Sequence, residues 1–132
     1  MLRPVVAIST PGTLPTFPSI IDTGGPVTVI AQEILESADD ARPLDDSILL
    51  HLGGASQRMQ LWELTLELRP PRSHAGAEPI SWWAVAAATS RFPHPHCAAL
   101  LGHGSFFGAC MVTLGAEEFV VEPADRFTQR FH

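Results

Sequence analysis

At 132 residues the chain is long enough for one domain with a real core and too short for two. Hydrophobic residues make up 45% and charged residues 17%, with 12 Pro and 10 Gly, a balance that excludes disorder and a helical bundle and predicts a compact, loop-punctuated β protein. Net charge is −6, all eight basic residues are Arg and no basic run occurs, which excludes a nucleic-acid surface.

Met1-Leu2-Arg3-Pro4 leads into no long apolar stretch, so neither a secretory leader nor a membrane-spanning helix is expected. Val5-Val6-Ala7-Ile8 reads as a short strand stopped by Ser9-Thr10-Pro11-Gly12, and Pro15 and Pro18 confine the next pieces to edges or extended coil. Then comes Ile20-Ile21-Asp22-Thr23-Gly24-Gly25, an apolar strand running straight into an acid, with Val27-Thr28-Val29-Ile30 leaving on the far side. Asp is rarely buried without partners, so a carboxylate at the tip of an apolar strand needs a reason. It suits a plain strand-end turn, and it equally suits a rigid platform presenting one carboxyl group, since glycines let the backbone turn tightly beside it. Ala31 to Leu35 suggests a turn of helix, and Glu36 to Asp46, with Glu36, Asp39, Asp40, Asp45 and Asp46 against Arg42, reads as a solvated surface loop.

Ser47 to Leu52 and Met59 to Leu68 flank Gly53-Gly54-Ala55-Ser56, which predicts a hairpin with a flexible tip. Trp62, Leu64, Leu66 and Leu68 alternate with Glu63, Thr65 and Glu67, the period of a half-buried strand. Arg69 to Pro79 reads as a loop. Ile80 to Thr89 is a continuous apolar run too short to span a membrane, so a buried strand is expected, with Trp82 and Trp83 on opposite sides. Arg91 to Cys97 is a turn. Ala98-Ala99-Leu100-Leu101-Gly102-His103-Gly104-Ser105-Phe106-Phe107-Gly108 is a second apolar strand ending abruptly at glycine, followed by a short helix-like turn. Met111 to Leu114 and Glu118 to Val121 read as a final hairpin, and the tail 124–132 as a helical turn or a frayed end.

Together the Ile20–Gly25 and Ala98–Gly108 stretches resemble the retropepsin-like, single-domain aspartic peptidases and their bacterial members. In that family a hydrophobic-hydrophobic-Asp-Thr-Gly loop pairs with a later hydrophobic-hydrophobic-Gly segment and a short helix. The resemblance spans about residues 4 to 123, leaving 124–132 as a tail, and rests on both motifs in order. It implies an all-β, closed-barrel-like acid-protease fold with one short helix near the C-terminal half. It also implies an aspartic endopeptidase working as a homodimer on a peptide or protein substrate, because the chain carries a single Asp-Thr-Gly. By resemblance Asp22, Thr23 and Gly24 are the catalytic loop. Asp22 of each protomer would share one proton and activate a water between them. Thr23 would lock the two loops across the interface, although it also suits a plain strand position.

By the same resemblance Leu52, Gly53, Gly54 and Ala55 form the flap over the substrate, where an ordinary surface hairpin is the alternative, and Leu100, Leu101, Gly102 and His103 support the site. Retroviral members place Arg after that Gly as a brace; here His103 and Gly104 follow instead. The rival reading is a catalytically inactive dimerisation or peptide-binding module on the same fold. Neither cofactor, membrane nor nucleic acid is implied. His94, His96, Cys97 and His103 lie close in sequence, but Pro93 and Pro95 extend the stretch and no second ligand pair follows, so no metal is expected. Cys97 and Cys110 read as reduced core residues rather than a disulfide, which makes a cytoplasmic location the expectation.

Overall fold

The computed structural model describes residues 4–12, 15–52, 54–71, 76–114 and 118–125. Among these the chain is mostly β. In order it forms β1 (Val5–Ser9), β2 (Phe17–Ile21), β3 (Thr28–Ala31), α1 (Gln32–Ser37), β4 (Arg42–Leu52), β5 (Ala55–Arg69), β6 (Ile80–Thr89), β7 (Ala99–Leu101), α2 (Phe106–Ala109), β8 (Cys110–Leu114) and β9 (Phe119–Pro123).

β2 and β7 run parallel, with Ile20 opposite Leu100 and Ile21 opposite Leu101, so the strand ends singled out by their glycines are neighbours. β3 pairs with β7 on one side and β6 on the other, β6 with β5, and β5 with both β4 and β1. Followed in turn, the ladders from β1 through β2, β7, β3, β6 and β5 return to β1, and β4 remains as the outer strand of a long hairpin. β8 and β9 make a separate two-stranded sheet.

Alternation decides what faces the core. Leu64, Leu66 and Leu68 of β5 and Trp82, Ala84 and Ala86 of β6 are buried, whereas Trp83 and Val85 point out. Phe106 of α2 is fully buried and meets Trp82 edge-on, ring centroids 5.4 Å apart. Removing such a ring from water is worth about 1.5–3 kcal/mol, enough to anchor a helix of four residues. Among the described residues no helix is long and apolar enough to cross a membrane.

Three sequence expectations change. The loop expected over Glu36–Asp46 is largely ordered secondary structure: α1 reaches Ser37, and β4 starts at Arg42. The acids misled because β4 is an outer strand, where charge is tolerated. Asp40 accepts bonds from the Thr65 N–H and hydroxyl, and Arg42 pairs with Glu63 at 2.8 Å. Between Pro43 and Ser47 the register shifts, and the Gln60 amide fills the irregularity by donating to the Leu44 and Asp46 carbonyls. Second, β2 is not an edge despite Pro18, which sits opposite Ala7 and uses only its carbonyl on the other side, accepting from Ala98 N–H at 2.7 Å. Third, the resemblance implies a single short helix, whereas α1 is a second one, where the residues Ala31 to Leu35 themselves suggest a helical turn. Gly53, Gly115-Ala116 and residues 126–132 of the tail lie outside the described residues.

Cys97 and Cys110 are both free thiols. Burial pushes Cys110 up to about 11 and raises Cys97 less, so both stay protonated and poorly nucleophilic at neutral pH. Labelling with a thiol reagent at neutral pH is expected to modify Cys97 slowly and Cys110 only after denaturant is added.

Candidate active site

β2 delivers Asp22 to the end of the sheet, and β3 takes the chain back from Thr28. The connection is built by hydrogen bonds rather than packing. Asp22 N–H donates to the Leu101 carbonyl at 2.9 Å, so the acid begins where the β2–β7 pairing ends. Gly25 N–H donates back to the Asp22 carbonyl at 3.1 Å and closes the turn. Gly24 N–H donates to Asp22 Oδ1 at 3.2 Å, which fixes the orientation of the carboxylate. Asp22 is half-buried while Thr23 and Gly24 are exposed, so the acid stands at a surface its loop can present to another molecule. A Cβ at Gly25 would sit 3.0 Å from Asp22 Oδ2, so a side chain there would press on the carboxylate.

The segment after β7 wraps this loop from behind. His103 N–H donates to the Gly25 carbonyl at 2.8 Å and Gly104 N–H to the Pro26 carbonyl at 3.1 Å. Thr28, fully buried, uses its hydroxyl as a clasp: it donates to the Gly104 carbonyl at 3.1 Å and accepts from Gly102 N–H at 3.4 Å. Gly102 crosses so close that a Cβ would overlap the Val27 carbonyl oxygen and lie 2.8 Å from that of Gly25. Only glycine fits this crossing.

Where the resembling family carries Arg, His103 supplies a different brace. Its Nε2–H donates to the Thr23 carbonyl at 2.7 Å, and its ring stacks on Phe107 with centroids 5.0 Å apart. A carbonyl can only accept, so the proton lies on Nε2. His103→Ala is expected to cost about 1 kcal/mol, the usual worth of one such bond, whereas His103→Gln, which can still donate, should recover part of it. Urea unfolding of the two variants checks this.

Asp22, Thr23 and Gly24 thus lie beside Leu100, Leu101, Gly102 and His103. Leu52 and Ala55 end the two strands of the β4–β5 hairpin, and Gly54 turns between them with φ +82°. Leu50 and Leu52 pack against the buried group Val29, Met59 and Ala87, as do Val27, Phe92 and Leu100. This second apolar cluster links the strand that leaves the acid loop to the turn-side half of the hairpin. Sequence reasoning passed over Thr28, although a hydroxyl inside an otherwise aliphatic strand was the signal. Among the described residues no three His, Cys, Asp or Glu side chains converge on a common point, and His94 and His96 are exposed. The chain matches no protein-family model and no curated protein sequence, so the reading of this site rests on its geometry.

Proposed function

We propose that the chain is an aspartic endopeptidase of the retropepsin type, acting as a homodimer in which Asp22 of each protomer forms the catalytic pair. One observation carries this reading: a half-buried carboxylate oriented by Gly24 N–H, on an exposed loop that the Gly102 crossing and the His103 brace hold rigid from behind. The closed circuit of strands with a projecting hairpin supports the barrel-and-flap architecture that the reading requires.

In the proposed reaction a water lies between the two carboxyl groups, one ionised and one protonated. The ionised carboxylate takes a proton as the water oxygen bonds to the scissile carbonyl carbon, and the protonated carboxyl donates to the carbonyl oxygen. The resulting diol collapses, the C–N bond breaks and the amine leaves with a proton. No covalent enzyme intermediate forms. In this reading the substrate is an extended peptide running past the Asp22 loop, its backbone pairing with strand edges while its apolar side chains rest on Leu50, Leu52, Val27 and Leu100. Closure of the β4–β5 hairpin would exclude bulk water.

The test is hydrolysis of denatured casein from about pH 4 to about pH 8, a range that should carry the dyad from one shared proton toward full ionisation. Activity in acid that is blocked by pepstatin and absent in Asp22→Ala supports the reading. A verified dimer that never cuts, or cuts equally without Asp22, replaces it with a peptide-binding module.

A further inference from the structure

Beside the tip of the β4–β5 hairpin lies a groove of about 500 Å³, lined by Leu52 and Ala55 to Met59 on one side and by Ala88, Thr89, Ser90 and Arg91 on the other. Arg58 and Arg91 both line it, and among the described residues no acidic one does. That is notable in a chain with 14 acids and 8 bases. Among the described residues the remaining arginines are neutralised, Arg42 by Glu63 at 2.8 Å and Arg69 by Glu67 at 3.2 Å. Arg58 and Arg91 have no such ion pair there. Among the described residues the two arginines without an ion pair thus line the same groove.

The groove is also preformed. Thr89 donates its hydroxyl hydrogen to Gln57 Oε1 at 2.9 Å and accepts from Arg91 N–H at 3.0 Å. That chain of bonds fixes the backbone of Arg91 relative to β5, the strand that carries Arg58. Arg58 is itself steadied by donating from Nη1 to Ser47 Oγ at 3.2 Å. Leu52 and Met59 line the groove and also belong to the apolar cluster reaching the acid loop, so a peptide lying along that cluster would run into it.

We propose that this groove is an anionic subsite that selects peptides carrying an aspartate or glutamate side chain to one side of the cleaved bond. The proposal rests on the reading that the chain binds an extended peptide, and it adds an acidic requirement to the apolar preference proposed for the cluster beside the acid loop. Guanidinium groups suit carboxylates because their paired N–H donors match two oxygens. Both arginines are exposed, so the gain is that of a screened interaction and not of a buried ion pair.

The experiment measures binding apart from cleavage. Fluorescent apolar peptides, each carrying one Glu scanned through successive positions, are titrated against Asp22→Asn protein and compared with Gln twins. At one position Glu is expected to bind about three- to tenfold tighter than Gln, the preference shrinking with added salt. Arg58→Gln and Arg91→Gln should each reduce it, and Arg58→Lys and Arg91→Lys, which keep the charge, should retain part of it. Equal binding of the twins, a preference indifferent to both arginines, or no peptide binding overturns the subsite. Discrimination without hydrolysis by native protein keeps the subsite and removes the peptidase reading; hydrolysis without discrimination does the reverse.

Discussion

Asp22→Asn is expected to abolish peptide hydrolysis, lowering turnover by at least about a thousandfold, while leaving the fold intact. The amide keeps the shape of the carboxyl, and its oxygen can still accept the Gly24 N–H bond. What it loses is the ability to take a proton from water. If each protomer supplies one carboxyl, mixing native and Asp22→Asn protein gives mixed dimers with a single carboxyl. At equal amounts and random pairing roughly a quarter of dimers remain native, so activity should fall with the square of the native fraction. A monomeric enzyme, or one using another acid, would instead fall in direct proportion or not at all. The titration thus tests the shared site separately from the chemistry, and size-exclusion measurements at each ratio show whether the variant still pairs.

The parts of this fold that were legible in the sequence are those governed by local rules. Alternation at Trp62–Leu68 and the continuous apolar run Ile80–Thr89 pointed to β5, β6 and the opposed faces of Trp82 and Trp83, because both signals are local to the strand. The strand stops at Asp22 and Gly102 were visible for the same reason. That they lie side by side, with Ile21 opposite Leu101, depends on a pairing between residues far apart in the chain. Nor could local rules separate the charged outer strand at Arg42–Asp46 from a loop, since its strand character comes from contacts with Glu63 and Trp62 across the hairpin. The Thr28 clasp and the His103 bond to Thr23 are long-range as well, each spanning more than 70 residues. The sequence marked His103 as a departure from the usual Arg; only the structure identifies the carbonyl it holds. Likewise the placement of Arg58 and Arg91 along one groove depends on strands far apart in the chain, and nothing in either local sequence announces it.

Gly102→Ala is expected to be the most damaging single substitution in the support of the site. The added methyl would meet the Val27 and Gly25 carbonyl oxygens, which are backbone and cannot swing aside as a side-chain end would. The Gly25 carbonyl also accepts the His103 N–H, so relieving the overlap pulls apart the contact that holds the acid loop. A cost of about 3 kcal/mol or more follows from overpacking a closed crossing, a large share of the stability of a small domain. Gly108→Ala is the matched control: it lies in α2 with nothing within 4 Å of its added Cβ, and alanine suits a helix better than glycine by up to about 1 kcal/mol. Urea unfolding should therefore move in opposite directions for the two variants. Any folded Gly102→Ala remaining at low temperature should also be less active per folded molecule, because the displaced loop misplaces Asp22. Should Gly102→Ala unfold like the native chain and cut casein as well, the crossing is not what holds the carboxylate, and the rigidity attributed to the site would have to come from the Gly24 and Gly25 turn alone.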